Sequence, residues 1–125
     1  MAVRELRLLS VVAPMLNEEG LAAEFCSRTV AALGDLPFEI VVVDDGSSDR
    51  TAAILDERAD ADPRVRVLHL SRPFGHQMAL TAGLDHARGD AVVMIDGDLQ
   101  DPPELIPEMV ERWRECRTRR RGPPR

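Results

Sequence analysis

Four short apolar segments, each ending at polar or charged residues, limit the fold of this chain more than any other feature. They are LRLLSVVAP (6–14), FEIVVVDDGSSD (38–49), RVRVLHLS (64–71) and DAVVMID (90–96). In three of them the apolar residues are consecutive, as in parallel strands that helices cover on both faces. RVRVLHLS alternates instead, so we expect this strand to lie nearer an edge of the sheet.

The segments that follow the first two strands have the apolar spacing of helices. Asn17 is expected to cap a first helix that ends near Gly34, and Ser48 is expected to cap a second helix over about 50 to 60. The predicted inward face of the first helix consists of Leu21, Phe25, Thr29 and Ala32.

Two further helices are predicted after the third and fourth strands. The third covers about 75 to 88 and ends at Gly89, with Leu80, Leu84 and Ala87 on its inward stripe. In the fourth, Asp101 is expected at the N-cap, Pro102 at the first helical position and Glu104 two residues later. Its apolar face is predicted to hold Leu105, Ile106, Met109, Val110 and Trp113.

Alternation of strands and helices with short connections predicts an α/β fold, a doubly wound parallel sheet with four main strands and flanking helices. The length of 125 residues allows one domain, which we expect to cover residues 1–115. The last residues, 116–125, have no periodicity and are rich in arginine, so they are predicted to be a disordered basic tail. Cys26 fits a small buried apolar group, and its spacing from Cys116 matches no metal site.

Charge is distributed unevenly along the chain. Residues 1–111 hold 21 acids and 9 arginines, a charge of about −12, whereas 112–125 hold 7 arginines and one glutamate, about +6. An acidic body argues against nucleic acid as a partner, because phosphate backbones are bound by clustered basic side chains. The sequence contains no signal peptide and no apolar run of membrane-spanning length, so we expect a soluble, cytoplasmic chain.

The most unusual residues of the chain lie at the ends of the predicted strands. Pro14 ends the first strand and Glu18 follows it, Asp44 and Asp45 end the second, and Asp96 and Asp98 end the fourth. Ligands of open parallel sheets bind beyond the carboxyl ends of the strands, where the strand order reverses. These residues are therefore expected to converge on one binding site.

Asp96 and Asp98 can turn two carboxylates toward one divalent cation because only Gly97 separates them. Gln100 offers a third oxygen, and an all-oxygen set suits Mg²⁺ or Mn²⁺, whose open positions substrate phosphates commonly fill. A D-x-D pair by itself usually lies in a solvated turn, so the prediction depends on its place at the end of a buried strand. The expected ligand is a nucleotide diphosphate carried on the metal.

Other polar residues of these segments have alternative interpretations. Asp44 and Asp45 are interpreted as acceptors for base N–H groups or ribose hydroxyls, and Gly46 as a turn residue. His76, at the start of the third helix, is interpreted as structural. For Arg72 a phosphate contact and a surface role are equally compatible with the sequence.

Four ordered motifs resemble inverting family 2 glycosyltransferases of the GT-A fold. They are VVAPMLNEEG, IVVVDDGSSDRT, LSRPFGHQMALTAGLDHARGD and VVMIDGDLQDPPELIPEMVERW, and together they span roughly residues 6 to 114. The most similar branch is that of polyprenyl- or dolichyl-phosphate sugar synthases. The resemblance implies a Rossmann-like amino-terminal half of a GT-A fold, transfer of a hexose from UDP- or GDP-sugar to a polyprenyl phosphate, and a role in glycan or cell-wall biosynthesis at the cytoplasmic membrane face.

The resemblance also implies roles for individual positions. Pro14, Leu16 and Glu18 would lie along the base and ribose, and Asp44 and Asp45 would read the base. The family's D-x-D would be Asp96, Gly97 and Asp98, which hold the metal and the diphosphate, with Gln100 as a further metal ligand. No general base is identified in this chain.

The sequence departs from the family pattern at two positions and at its end. Leu16 stands where this branch often has tyrosine, and Pro73 where asparagine is usual. The abrupt change to CRTRRRGPPR is interpreted as a truncation or a frame-shifted reading, so we expect metal-dependent binding of UDP or GDP without appreciable transfer.

Two other functions remain open from the sequence. One is a non-catalytic, magnesium-binding signalling domain of α/β fold, although receiver domains need a lysine near the site and this chain has none. The other is a degenerate fragment that folds poorly, because its fourth strand and last helix would expose surfaces built for missing partners.

Overall fold

The computed structural model describes residues 5–115, in which strands and helices alternate. The elements are β1 Leu9–Met15, α1 Ala22–Leu33, β2 Phe38–Asp44, α2 Thr51–Ala61, β3 Val65–His69, α3 His76–His86, β4 Ala91–Met94, a 3-10 helix Pro103–Leu105 and α4 Ile106–Glu115. The predicted tail, 116–125, lies outside the described residues and stays a prediction. No helix in the described part is long and apolar enough to cross a membrane.

The four strands form one parallel sheet in the order β3-β2-β1-β4. This arrangement confirms the predicted doubly wound α/β class and the edge position of β3. β1 and β2 pair along their full length, whereas the described β4 pairs only with the first part of β1, ending with Val12 opposite Met94. The chain therefore diverges from β1 before β1 ends, at the point where the strand order reverses.

Helices α1, α2 and α4 cover one face of the sheet and enclose most of the core. Phe25, Leu33, Leu55 and Ile106 are among the largest fully buried side chains, and they pack against alternate residues of β1 and β2. Each such side chain stabilises the fold by about 1.5 to 3 kcal/mol relative to its exposed state. Cys26 is buried in the same cluster, which confirms its predicted environment.

Helix α3 approaches the opposite face of β1 and β2 through small residues. Ala79 and Gly83 face the sheet, and a Cβ atom added at Gly83 would lie 2.4 Å from Val12 Cγ1 and 3.0 Å from Val43 Cγ2. The predicted inward stripe of α3 is wrong at Leu84, which is 40% exposed. A leucine cannot enter this interface because the helix and the sheet are too close together.

Strand β4, at one edge of the sheet, is less covered by helices than its consecutive apolar residues predict. Val92 and Met94 are 42% and 56% exposed, because α3 lies over β1 and β2 instead of β4. Leu105 and Met109, beside and within α4, are also exposed. The expectation that the fourth strand and last helix expose apolar surface is confirmed, and the expectation that β4 is covered on both faces is wrong.

The helices begin later than the capping residues predict. α1 begins at Ala22 and α2 at Thr51, and neither Asn17 nor Ser48 caps its helix. Asp101 does not act as an N-cap either, because the chain continues through Pro102 into a 3-10 helix. Asn17 and Ser48 bond instead to each other, which shapes the candidate site described below.

A buried glutamate joins four segments at the end of the sheet where the strands begin. Glu39 of β2 accepts hydrogen bonds from Ser10 Oγ at 2.6 Å, Arg66 Nη1 at 2.7 Å and the Arg88 N–H at 2.8 Å. Burial opposes its ionisation, but these donors together hold the pKa of Glu39 below its ordinary value. The network fixes β1, β2, β3 and the connection from α3 to β4 relative to one another.

Candidate functional site

A cleft of about 230 Å³ opens at the carboxyl ends of β1 and β4, where the strand order reverses. Its lining consists of Pro14, Met15, Leu16, Glu18, Asp45, His76, Asp96, Gly97 and Asp98. The position agrees with the general rule for open α/β sheets. The volume lies below the roughly 300 to 1,000 Å³ of typical small-molecule sites, so the cleft encloses only part of a ligand as large as a nucleotide sugar.

Reciprocal hydrogen bonds join the loop after β1 to the loop after β2. The Asn17 N–H donates to Ser47 Oγ at 2.9 Å, and the Ser48 N–H donates back to Asn17 Oδ1 at 2.8 Å. The Glu18 N–H donates to Thr51 Oγ1 at 2.9 Å. The two loops therefore form a single wall, which sets the positions of the residues that face the cleft.

A second pair of hydrogen bonds extends this wall toward α2. The Glu19 N–H donates to Asp49 Oδ2 at 3.3 Å, and Glu19 Oε1 accepts from the Arg50 N–H at 3.0 Å. Asp49 also accepts the Thr51 N–H. Asp49, one residue after Ser48, thus accepts a bond from the start of α2, as expected for the Asp of an Asx turn in this segment.

Asp44 and Asp45 have different surroundings although they are adjacent. Asp44 is buried and does not line the cleft, and its carboxylate accepts the Ser47 N–H and contacts His69 Nδ1 at 2.9 Å. The role of Asp44 in reading a base therefore stays a prediction. Asp45 does line the cleft, and its two oxygens accept the N–H groups of Phe74 and Gly75 at 2.8 and 3.1 Å.

The chain turns tightly through Asp96, Gly97 and Asp98 against the end of β1. A Cβ atom at Gly97 would lie 2.6 Å from two atoms of Met15, so only glycine fits between the two aspartates without displacing that side chain. Leu99 follows with φ at 63°, a left-handed conformation that costs a leucine about 1 to 2 kcal/mol. Strained residues of this kind are common at ligand sites.

The cleft is strongly acidic. Glu18, Asp45, Asp96 and Asp98 line it together, and Asp96 is about half exposed, at 48% of its side chain. Burial first, and then the negative charges of Asp98 and Asp49, raise the pKa of Glu18 above its ordinary value. Carboxylates that repel one another in this way gain from a bound cation.

The residues of the cleft fit a divalent metal ion whose coordination shell a bound ligand would complete. No group of three or more His, Cys, Asp or Glu side chains within residues 5–115 forms a ready metal cage. Two oxygen donors from Asp96 and Asp98 are nevertheless the kind of partial set that binds Mg²⁺ together with substrate phosphates. Gln100 is exposed and does not line the cleft, and its N–H donates to Asp98 Oδ1 at 3.1 Å.

Sequence reasoning missed two residues of the cleft. Met15 packs under Gly97, and its apolar character at a strand end gave no signal of this role. His76 was interpreted as structural, but its side chain is 62% exposed and faces the cleft, with Nε2 3.7 Å from Asp96 Oδ1. The one available signal was its place directly after a glycine at a helix start.

Comparison with known proteins identifies the family. The model of the family described as Glycosyl transferase family 2 matches residues 10–118, which is most of the chain. The chain belongs to glycosyl transferase family 2. The resemblance inferred from the four motifs is thereby confirmed.

Two curated relatives are much longer than this chain. An uncharacterized glycosyltransferase of Bacillus subtilis (strain 168) is 47% identical over 122 residues, which cover 90% of this chain and 38% of the relative. The bactoprenol glucosyl transferase of Shigella phage SfV is 48% identical over 108 residues, which cover 84% of this chain and 35% of the relative. The chain thus spans about a third of the length of these relatives.

A solved structure supports the fold. The mannosyltransferase of Pyrobaculum calidifontis, in complex with GDP-Man and Mn²⁺, matches with a TM-score of 0.73 at 28% identity. The match covers 86% of this chain and 32% of that chain. The predicted Rossmann-like class of a GT-A glycosyltransferase is therefore confirmed.

Proposed function

We propose that this chain forms the donor-binding part of a glycosyltransferase that moves a hexose from a UDP- or GDP-sugar to a polyprenyl phosphate. The observation that carries the proposal is the meeting of Glu18, Asp96 and Asp98 in one cleft where the strand order reverses. A relative named as a bactoprenol glucosyl transferase supports a polyprenyl acceptor. A mannosyltransferase bound to GDP-Man supports a nucleotide-sugar donor.

The nucleoside would lie along the wall formed by the two joined loops. Pro14 and Leu16 supply apolar surface there, and Leu16 is 43% exposed. Glu18 follows with an acceptor carboxylate that suits ribose hydroxyls. Asp45 lies at the same wall, whereas Asp44 lies outside the lining of the cleft, where its carboxylate accepts the Ser47 N–H and contacts His69.

The diphosphate would lie at the other side of the cleft, beside Asp96, Gly97 and Asp98. The two carboxylates would hold Mg²⁺ or Mn²⁺, with Gln100 as a further oxygen donor if its exposed side chain turns inward. A bound divalent ion supplies Lewis-acid stabilisation of the departing nucleoside diphosphate. Gly97 lets the backbone pass close to Met15, so that both carboxylates reach the same cleft.

The proposed transfer makes one bond and breaks one bond. A phosphate oxygen of the acceptor bonds to the anomeric carbon of the hexose, and the bond from that carbon to the nucleoside diphosphate breaks. The acceptor phosphate is already an anion, so a base has little to remove. The residues of this chain contribute by binding and orienting the donor.

Calorimetric titration of the chain with UDP and with GDP, each in Mn²⁺, tests the proposal. We expect binding of at least one nucleotide that requires the metal, and loss of measurable binding in the double variant Asp96→Asn with Asp98→Asn. Both amides keep the size of the side chains but remove their charge. The double variant Asp60→Asn with Asp85→Asn, an equal loss of charge at exposed positions of α2 and α3, serves as the control and should bind like the wild type.

Two results would contradict the proposal. One is a folded wild-type chain that gives no heat with either nucleotide in Mn²⁺. The other is a double variant that binds as tightly as the wild type, because the aspartates would then contribute nothing to capture of the diphosphate.

A further inference from the structure

We propose that His76 binds the β-phosphate of the donor directly and that Asp45 is the residue that positions it. This inference rests on the proposed function, since it assigns two further residues to the same cleft. It begins from the charges of the cleft lining. It then follows the hydrogen bonds that fix the start of α3.

Among the residues that the structure describes, the lining of the cleft holds no basic side chain other than a histidine. The chain contains no lysine, and among residues 5–115 no arginine lines the cleft. The remaining polar side chains there are carboxylates, which accept hydrogen bonds when ionised and repel a diphosphate. His76 is therefore the side chain of the described lining that can donate a hydrogen bond to a phosphate oxygen. A neutral imidazole already donates one N–H, so this contact requires no change of charge.

The position of His76 selects the distal phosphate. Its ring lies beside Asp96, at the side of the cleft assigned to the metal and the diphosphate. The wall assigned to the nucleoside, which includes Leu16 and Glu18, belongs to other loops. The distance of 3.7 Å from His76 Nε2 to Asp96 Oδ1 is longer than a hydrogen bond. The ring is thus near the aspartate without being tightly held by it, and it remains 62% exposed.

Asp45 holds the segment immediately before His76. Its carboxylate is buried at the end of β2 and accepts the N–H groups of Phe74 and Gly75, at 2.8 and 3.1 Å. These are charge-assisted bonds to main-chain donors, which are stronger and more directional than neutral ones. Gly75 then adopts φ of 104° and leads into His76, the first residue of α3. Asp45 therefore connects the rigid end of β2 to the place of the histidine ring.

Comparison of nucleoside diphosphates with monophosphates isolates the proposed contact. A monophosphate keeps the nucleoside and the α-phosphate but lacks the group that His76 would bind. In calorimetric titrations with Mn²⁺, we expect His76→Ala to weaken UDP or GDP binding about tenfold or more, the range of a lost hydrogen bond to a charged group. Binding of UMP or GMP should be unchanged.

Conservative and control variants separate this role from a structural one. His76→Gln retains a side-chain N–H and should recover part of the lost affinity for the diphosphate. His86→Ala, at the other end of α3 with its ring bonded to the Ala82 carbonyl, should bind both nucleotides like the wild type.

Asp45→Asn removes the charge that holds the loop and should lower the preference for diphosphate over monophosphate. In a His76→Ala background the same change should have little further effect on that preference.

Several results would overturn the inference. A His76→Ala variant that binds the diphosphate like the wild type would refute the contact, and equal losses for diphosphate and monophosphate would reveal a structural effect only. An Asp45→Asn effect that persists in full without His76 would refute the positioning role. A wild-type chain that binds neither UDP nor GDP would overturn both this inference and the proposed function, whereas the other results leave the proposed function standing.

Discussion

Gly46 provides the sharpest test of how the loops around the cleft are packed. It lies directly after Asp45 with φ at +72°, and a Cβ atom there would be 2.4 Å from the carbonyl carbon of Arg72 and 2.6 Å from the nitrogen of Pro73. The turn thus contacts the backbone of the segment that leads to His76. The substitution Gly46→Ala is predicted to disturb both the turn and that segment.

The expected cost has two parts. An alanine in the left-handed region costs about 1 to 2 kcal/mol. To reach the 3.4 Å of ordinary contact, the Arg72 backbone must also move by about 1 Å, and forced overpacking of this kind typically costs about 1 to 3 kcal/mol. Gly46→Ala should therefore lower the free energy of unfolding by about 2 to 5 kcal/mol, which many domains survive.

Gly20→Ala is the control. Gly20 has no positive φ and no atom within 4 Å of an added Cβ, so neither backbone strain nor a forced contact is expected there. The change from glycine to alanine affects the unfolded chain similarly in both variants, so the difference between them measures the backbone strain and the contact with the Arg72 segment together. Urea unfolding can be followed by the fluorescence of Trp113, the single tryptophan of the chain, which packs against the core. Equal destabilisation by the two substitutions would refute this account of the packing.

Two further predictions concern titratable groups. Hydrogen bonds to Asp44 and then Asp56 raise the pKa of His69 above its ordinary value of 6.5, so its contribution to stability should be complete below that pH and lost as pH rises through the folded-state pKa. Urea melts from about pH 6 to about pH 9 should show this decline in the wild type and not in His69→Gln, and identical pH profiles would contradict it. Burial raises the pKa of the Cys26 thiol to about 11 from 9.0, so in a Cys116→Ser background its alkylation should be at least about a hundredfold slower in the folded chain than in urea. Mass spectrometry of iodoacetamide-treated samples measures this ratio, and similar rates in both states would show that the thiol is accessible.

The sheet and the general place of the site could be predicted from local patterns. Consecutive Val and Ile residues at 40–43 indicate a strand covered on both faces, and β2 is indeed buried along its whole length. Because parallel strands end at one edge, Glu18, Asp45, Asp96 and Asp98 were expected to meet, and they line the same cleft. These inferences need only the spacing of apolar residues along the sequence and the rule that ligands bind at the carboxyl ends of parallel strands.

The predictions that were wrong concern features that depend on contacts between distant segments. Asn17 and Ser48 have the right chemistry for capping helices, but each finds a partner in the other loop and neither caps its helix. Gly83 faces the sheet because α3 approaches closely, so the larger Leu84 is directed outward. Periodicity also cannot distinguish a covered strand from an edge strand such as β4, because both can be uniformly apolar.

Strand β4 is an edge strand of the sheet that residues 5–115 form, and its position affects how the chain behaves in solution. Within the described residues this strand bonds only to β1, and its four residues, Ala91–Met94, include no charged side chain. Natural proteins usually protect an edge strand with lysine, proline or a bulge, because its unpaired N–H and C=O groups can form hydrogen bonds with a strand of another chain. Self-association should therefore increase with protein concentration, and electrostatic repulsion between the acidic bodies opposes it.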